Sequence, residues 1–455
     1  MTWRETIMVA IVFVSLVTLR AWGVSTHFWL LGDQILLWGM ALKPFSELPL
    51  IGSPTHLHGY EIGPAFWWIL WATRVVIGPW VSNLPHAGGI GQAVLRSAAD
   101  SVLCLAVWRR SESVAGALAA VILIATSAFD LMFASQIWNP PMAEALVTAA
   151  LALVLLDWHR RGIVRLAVTC ALAWAAIHAH MSAIFVTVAI FGAALVDPLR
   201  RGERWMALRN GLVIASVVGV LQLPYLFYQW QTSFAQPAMA VVSDSLLDVV
   251  THKGATQFAV SAREYVDVVS RAQGRPWQTP WMVWVLLVSS AIVIVRYWRD
   301  TALLMVLVVP GVAVILGYAL LQGDLDSYYY LPVLPVPVLT VVFAALAIPW
   351  RQPRAVVAVA MLVLALVMVP SRVRLSGTAL RFPQYGALAS GSRTVAQRHM
   401  AMRAIWASFE LPPTCQPEFM YQILGGVLDQ QSPWVAVIAE DGSVSYRDLD
   451  RELVH

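Results

Sequence analysis

The chain has 455 residues, of which 59% are hydrophobic and only 12% carry a formal charge. Soluble domains are about 45–50% apolar and about 25% charged, so this composition excludes an ordinary soluble globular protein. The net charge of +4 comes with short arginine clusters and no long basic stretch, so we expect no nucleic-acid partner. Cys104 and Cys170 lie in apolar runs, and a structural disulfide is therefore not expected.

Eleven apolar runs approach the length of about 20 residues that a transmembrane helix needs. The first run follows Arg4 and lacks a cleavage motif, so it is interpreted as a retained signal anchor with a cytoplasmic N-terminus. The sequence therefore predicts an all-α polytopic membrane protein. The runs lie near residues 6–24, 93–109, 113–133, 143–158, 165–178, 181–196, 206–227, 281–297, 301–321, 331–349 and 354–370.

Arginine clusters fall at alternate loops between these runs, where the positive-inside rule places the cytoplasm. The apolar segment 64–80 contains Arg74 and would invert every later loop if it crossed, so we expect it to lie in the interface at the outer face. The loops expected outside are 25–92, which carries interfacial helices, and 134–142, 179–181, 228–280 and 322–330.

Charged residues become frequent after residue 370. We therefore divide the chain into a transmembrane domain, 1–370, and a small soluble α/β domain on the outer face, 371–455. Ser392 can cap a helix that runs to about residue 409. Two strands, 434–439 and 443–447, are predicted on either side of a glycine-containing turn.

The first outer loop begins with an acidic residue at the start of a helical pattern. Asp33 is a good N-cap residue, and the same carboxylate beside Gln34 can act on a substrate at the membrane surface; these roles are compatible. Further along the loop, His56, His58 and Glu61 fall within six positions. They fall short of a four-ligand metal set, so a divalent metal is not favoured, and a polar pocket or simple solvation of the loop is expected.

Other polar residues lie in or beside the apolar runs. Arg96 and Asp100 stand four positions apart on one helical face, where they can form a structural ion pair or leave Arg96 to attract an anionic headgroup. Asn139 opens a helix whose N-terminus can bind an anion or a hydroxyl. His178 and His180 converge only if their helix breaks between them.

An acidic and tyrosine-rich segment precedes the tenth apolar run. Asp324, Asp326, Tyr328 and Tyr329 stand close together there, followed by Tyr330. The tyrosines fit either an aromatic belt at the lipid–water boundary or the wall of a substrate pocket.

Taken in order, these motifs resemble those of the bacterial GT-C glycosyltransferases related to protein O-mannosyltransferases and aminoarabinose transferases. The resemblance covers residues 1 to about 350 and implies a GT-C fold. It rests on Gly32-Asp33-Gln34, Gly63-Pro64-Ala65-Phe66-Trp67, Arg96, Ser135-x-x-Trp138-Asn139-Pro140, His178 and Tyr328-Tyr329-Tyr330-Leu331-x-x-Leu334-Pro335.

The resemblance implies transfer of a sugar from a polyprenyl phosphate to an acceptor lipid, glycan or protein, at the outer face of the cytoplasmic membrane. The family's catalytic base matches Asp33. Many relatives have acidic residues at the positions of Gln34 and Asn139. These departures leave the use of metal and the role of a second carboxylate open.

A phosphate leaving group departs without protonation, so the reaction needs one base and some positive charge near the phosphate. Arg96, His178, His180 and Arg74 are the candidates for that charge, and direct attack inverts the anomeric centre. The sequence identifies no definite cofactor, and a divalent metal is possible but not favoured.

Two other functions remain open from the sequence. A lipid or sugar transporter also buries charges at membrane depth, but no internal repeat typical of such folds is visible. A non-catalytic envelope subunit could use residues 371–455 as a docking module.

Overall fold

Apolar helices make up most of the computed structural model. It describes residues 1–22, 24, 28, 32–55, 59–81, 84–234, 254–274, 279–321, 326–379, 385–409, 417–423 and 426–449. Of the predicted site residues, His56, His58 and Asp324 lie outside the described residues, as does Cys415. Cys104 and Cys170 are free and buried.

The helices of the membrane body follow the predicted apolar runs along the chain, with additional helices in the loops. In order they are α1 (Trp3–Ala21), α2 (Gly32–Ala41), α3 (Ala65–Ile77), α4 (His86–Ser111), α5 (Val114–Ala125), α6 (Ala128–Phe133), α7 (Asn139–Leu155), α8 (Ile163–Ala179), α9 (Ile184–Arg200), α10 (Arg204–Gln231), α11 (Gly254–Ala272), α12 (Thr279–Tyr297), α13 (Thr301–Leu307), α14 (Val309–Leu321), the 3₁₀ helix Ser327–Val333, α15 (Pro335–Ala345) and α16 (Arg351–Ala379).

Five of the described helices are long and apolar enough to cross a membrane, and seven spans result if each of two bent pairs counts as one. The pairs α13–α14 and Ser327–Val333 with α15 bend by 41° and 47°. The helices α5, α7 and α8 are apolar but shorter. The chain is therefore a multi-pass membrane protein, in which each of the eleven predicted apolar runs contains helix.

Ion pairs gather the arginine clusters at one end of the helix bundle, which we call the arginine-rich end. Arg109 at the end of α4 contacts Glu5 at the start of α1, with 2.8 Å between Nη2 and Oε2. Arg160, between α7 and α8, contacts Asp197 in the last turn of α9 at 2.7 Å. These contacts bring the start of α1, the end of α4, the α7–α8 connection and the end of α9 to the same end of the bundle.

Two short helices fill the opposite end of the bundle, between the end of α1 and the start of α4. The 13-residue helix α3 rises about 20 Å, less than the hydrocarbon thickness of about 30 Å. It packs against α2, α4 and α8. Between α2 and α3, the strands β1 (Pro54–Thr55) and β2 (Gly59–Tyr60) form an antiparallel pair.

The C-terminal region forms a small α/β unit. Strands β3 (Ala404–Ala407), β4 (Trp434–Ile438) and β5 (Val444–Asp448) form one sheet, in which β3 runs parallel and β5 antiparallel to β4. Helices α17 (Tyr385–Ala396) and α18 (Pro417–Ile423) pack against each other, and each also contacts a strand of the sheet. Arg393 on α17 interacts electrostatically with His86 at the start of α4, so the unit lies at the end opposite the arginine-rich end.

The two predicted C-terminal strands are confirmed, but the helix predicted from Ser392 to residue 409 is wrong. Ser392 is buried inside α17, which begins at Tyr385 and ends at Ala396. Residues 404–407 pair with β4 instead of continuing a helix. Their pattern of Ala-Ile-Trp-Ala suits a half-buried strand once a partner strand is available.

Candidate active site

Asp33 stands in the first turn of α2, which begins one residue earlier at Gly32. It therefore lies inside the helix rather than at the predicted N-cap. A carboxylate is favourable in this first turn because the unpaired backbone N–H groups give the helix N-terminus a partial positive charge. Its side chain is exposed, whereas the neighbouring Gln34 is buried. The carboxylate of Asp33 is thus free to meet a ligand.

Backbone hydrogen bonds pair two stretches of the loop between α2 and α3. The backbone N–H of Gly52 donates to the carbonyl of Glu61 at 2.9 Å, and the N–H of Glu61 donates to the carbonyl of Ser53 at 2.9 Å. Trp67 of α3 holds these paired stretches by donating its indole N–H to the carbonyl of Ile51 at 2.8 Å. This pairing fixes the position of the Glu61 side chain, which is 2% exposed.

Asn139 ties the same loop to the end of α8. Its amide nitrogen donates to Ser53 Oγ and to the carbonyl of Ala179, both at 3.1 Å. The predicted role of Asn139 in the pocket remains a proposal, and its described contacts join the Ser53 hydroxyl to the backbone at the end of α8.

His178 is buried in the last turn of α8 and is oriented by Gln222 of α10. The Gln222 amide nitrogen donates to the carbonyl of Ile62 at 2.8 Å, which turns its oxygen toward Trp174 Nε1 at 3.0 Å and His178 Nε2 at 3.1 Å. Because an amide oxygen only accepts, His178 carries its hydrogen on Nε2 in this arrangement. The imidazole Nδ1 is then left as an acceptor.

The helix break that would let His178 and His180 converge is present. Helix α8 ends at Ala179, and His180 has an extended backbone with φ −156°. His180 Nδ1 lies 2.7 Å from Ser182 Oγ, and its ring meets the Tyr329 ring edge-on with centroids 5.2 Å apart. The break therefore turns His180 toward the tyrosine segment.

The 3₁₀ helix Ser327–Val333 brings its tyrosines together with acidic groups. Tyr328 and Tyr329 stack with ring centroids 4.8 Å apart, and Tyr328 also packs on Trp138 at 4.6 Å. Tyr328 hydrogen-bonds Asp326 and Tyr329 through their side chains. Asp326 is exposed. Tyr328 and Tyr329 are half-buried, and their contacts with Trp138 and His180 are compatible with the predicted pocket wall.

Tyr329 lies near acidic residues from three separate segments of the chain. Its phenol group interacts electrostatically with Glu61, Asp326 and Asp33. Carboxyl groups from α2, the loop after β2 and the tyrosine segment therefore lie near one aromatic side chain. We call this group, together with His180, the Tyr329 cluster.

Arg96 lies outside this cluster, in a buried ion-pair network. Its guanidinium contacts Asp130 at 2.9 Å, Asp100 at 3.9 Å and Glu144, and Arg20 of α1 contacts both Asp130 and Asp100. Arg96 is 0% exposed, so a lipid phosphate cannot reach it in this structure. The structure therefore favours the ion-pair alternative for Arg96 over the predicted phosphate-binding role.

Arg74 is also separated from Asp33. Its Nη1 donates to the carbonyl of Leu42 at 2.8 Å, just beyond the last residue of α2. Asp33 lies at the other end of that helix, about 14 Å away by helix rise. The described contacts give Arg74 a capping role and do not bring it to the carboxylate.

Several residues of the site and its supports have no counterpart among the sequence-predicted residues. Polar or ionisable residues in apolar helices are a signal that could have found most of them, because such residues face a bundle interior or a cavity. They are Arg20, Asp130, Glu144, Ser182, Gln222 and Tyr318. No group of three or more His, Cys, Asp or Glu side chains with metal-binding geometry occurs among the described residues.

No family model matches the sequence, and no curated protein matches it. Solved structures do match the fold. ArnT from Cupriavidus metallidurans bound to undecaprenyl phosphate has a TM-score of 0.56 and 13% identity, covering 94% of this chain and 92% of that chain. The apo state of the same protein has a TM-score of 0.53 and 14% identity, with the same coverage.

A second match is the oligosaccharyltransferase AglB from Archaeoglobus fulgidus, in complex with an inhibitory peptide and a dolichol-phosphate. Its TM-score is 0.50 at 11% identity, covering 98% of this chain and 74% of that chain. These identities are low, so the likeness is one of fold. This chain therefore has the GT-C glycosyltransferase fold that its sequence motifs predict.

Proposed function

We propose that the protein transfers a sugar from a polyprenyl-phosphate donor to an acceptor hydroxyl at the outer face of the cytoplasmic membrane. The observation that carries this proposal is the exposed carboxylate of Asp33 within the Tyr329 cluster, at the bundle end opposite the arginine-rich end. Two neighbours of the same fold, ArnT and AglB, are described in complex with a polyprenyl phosphate and a dolichol-phosphate. The fold and the site thus support the same class of donor.

In the proposed reaction, Asp33 accepts the proton of the acceptor hydroxyl. The acceptor oxygen attacks the anomeric carbon while the bond from that carbon to the phosphate oxygen breaks. The polyprenyl phosphate leaves as an anion and needs no proton, so a single base suffices. Attack from the side opposite the phosphate inverts the anomeric centre.

We assign the departing phosphate to the side of the site formed by His178 and His180. Both imidazoles lie at the break after α8, and His180 contacts the Tyr329 ring. His180 accepts from the Ser182 backbone N–H at Nδ1, so its Nε2–H, together with backbone N–H groups, can stabilise a developing phosphate charge as a hydrogen-bond donor. The N–H of His178 is already donated to Gln222, so His178 shapes this side of the site without donating to the phosphate. Asp326, Tyr328 and the buried Gln34 complete the proposed pocket, together with Asn139.

Exchange of Asp33 for asparagine tests the base. The substitution Asp33→Asn keeps the shape and the helix-start preference of the side chain, but the amide cannot accept the proton. We expect transfer from a polyprenyl-phosphate sugar to fall by about 100-fold or more, because general-base catalysis contributes at least that factor. Donor binding by the purified variant should stay within about twofold of the unmodified protein.

The matched control is Glu47→Gln, which removes an exposed carboxylate from the same loop at a position outside the cluster. Its transfer rate should be unchanged. Retained transfer by folded Asp33→Asn ends the assignment of the base. If the unmodified protein consumes no polyprenyl-phosphate sugar, the transporter or subunit function is favoured instead.

A further inference from the structure

Glu61 is a buried carboxyl group outside the membrane-spanning helices. One of its oxygens accepts a hydrogen bond from the backbone N–H of Met181. The other, Oε2, is buried and has no hydrogen-bond partner among the described residues. A buried polar atom without a partner is unfavourable, so its presence needs an explanation.

The described groups around Glu61 come from several elements, and none of them is a cation. Tyr318 of α14 and Tyr329 interact with it electrostatically, and Tyr318 hydrogen-bonds Ser182 of the turn that carries Met181. The same turn carries His180, whose pKa is lowered by burial to about 3, so this imidazole is neutral. The other nearby charges are carboxylates, Asp33 and Asp326, which share Tyr329 with Glu61.

This environment favours the protonated form of the Glu61 carboxyl group. Burial raises its pKa well above the usual range, and the hydrogen bond from Met181 opposes that shift only in part. A carboxylic acid that burial holds neutral can donate a hydrogen bond. With Met181 on one oxygen, Glu61 therefore presents an unused donor and acceptor.

We propose that Glu61 is a specificity-determining residue, whose unpaired carboxyl oxygen hydrogen-bonds a hydroxyl group of the donor sugar. This inference rests on the proposed function and names a residue that recognises the sugar of the donor rather than its lipid. A sugar hydroxyl fits because it both donates and accepts, as the neutral carboxyl does. Since Oε2 is enclosed, the half-buried Tyr329 is the side chain that we expect to move when the sugar enters.

Binding of two lipids to the purified full-length protein tests the proposal. One lipid is undecaprenyl phosphate without a sugar, and the other is the tightest binder among undecaprenyl-phosphate glucose, mannose and arabinose. We expect Glu61→Ala to lower the affinity for the sugar-bearing lipid by about tenfold, since the sugar loses a hydrogen bond. The affinity for the sugar-free lipid should be unchanged. The control Glu264→Gln alters a carboxyl group that instead contacts Tyr330, and it should change neither affinity.

The pH dependence gives an independent readout. The neutral carboxyl is present below its raised pKa, so affinity for the sugar-bearing lipid should fall as the pH rises through that value. Glu61→Gln cannot ionise and keeps a donor and an acceptor, so it should retain the affinity and lose this pH dependence.

The outcomes separate this inference from the proposed reaction. The recognition role is overturned if Glu61→Ala lowers the affinity for both lipids equally, or lowers neither affinity. It is also overturned if the unmodified protein binds no sugar-bearing lipid more tightly than undecaprenyl phosphate. Sugar-dependent binding without any transfer contradicts the assignment of Asp33 and leaves the role of Glu61 standing.

Discussion

Gly63 lies directly against the imidazole ring of His178, and a side-chain carbon at this position would overlap the ring. That ring is also held by Gln222, which hydrogen-bonds the carbonyl of Ile62 next to Gly63. The absence of a side chain at residue 63 therefore lets the loop approach the end of α8. Neither contact follows from local sequence, because Gln222 stands 160 positions after Ile62.

We therefore expect Gly63→Ala to displace either the loop or His178. Overpacking of a close contact costs about 1–3 kcal/mol, so the melting temperature of the purified protein should fall. Donor binding should weaken as well if His178 supports the phosphate. Gly219→Ala is the matched control, because Gly219 lies in α10 with open space around it and a helical alanine is favoured by about 1 kcal/mol. An unchanged melting temperature and donor affinity in Gly63→Ala would show that this contact is not constrained.

At the scale of elements, the buried ion-pair network joins α1, α4, α6 and α7. Arg96 on α4 pairs with Asp130 of α6 and Glu144 of α7, and Arg20 of α1 reaches Asp130 from the other side. Asp130 is thus shared by both arginines. Removal of one arginine would leave buried carboxylates without a positive partner. An unpaired buried charge strongly destabilises the folded state.

The expected effect of Arg96→Ala is a loss of about 3–5 kcal/mol of stability, seen as reduced yield and a lower melting temperature in detergent. Arg109→Ala serves as the control, since its pair with Glu5 lies at the surface with the arginine side chain 37% exposed. Surface pairs contribute about 0–1 kcal/mol, so this variant should melt almost normally. If Arg96→Ala instead melts normally but loses donor affinity, Arg96 binds the phosphate and the network is not structural.

The same elements show what sequence could predict. Apolar runs, arginine spacing and the two C-terminal strands are local patterns, and they located the helices and the strands β4 and β5. The partners of Arg96 stand 34 and 48 positions away, so only the pair with Asp100 was visible from helical spacing. Strand β3 was missed because its pairing with β4, some 30 positions later, overrides the local helix pattern.

At the scale of the whole molecule, the two ends of the bundle differ in charge and in content. One end carries the arginine clusters with their acidic partners, and the other carries Asp33, the Tyr329 cluster and the C-terminal unit. By the positive-inside rule, we expect the arginine-rich end to face the cytoplasm. Hence Asp33 and residues 371–455 are expected on the outer face, where a lipid-linked sugar would meet its acceptor.

Labelling of introduced cysteines by a membrane-impermeant maleimide tests this orientation. A Cys415→Ser background suffices, because Cys104 and Cys170 are buried. Exposed positions are available at each end, so we expect Glu47→Cys and Gln430→Cys to label in intact cells and Arg161→Cys to label only after the membrane is opened.

Denatured samples give the control for reactivity, since all three variants should then label equally. Labelling of residue 161 in intact cells would invert the topology and place Asp33 in the cytoplasm, where the proposed donor and acceptor would have to be sought instead. Labelling of residue 47 without residue 430 would instead place the C-terminal unit across the membrane from the site. That outcome would contradict the proximity of Arg393 to His86 and exclude the unit from any contact with the acceptor.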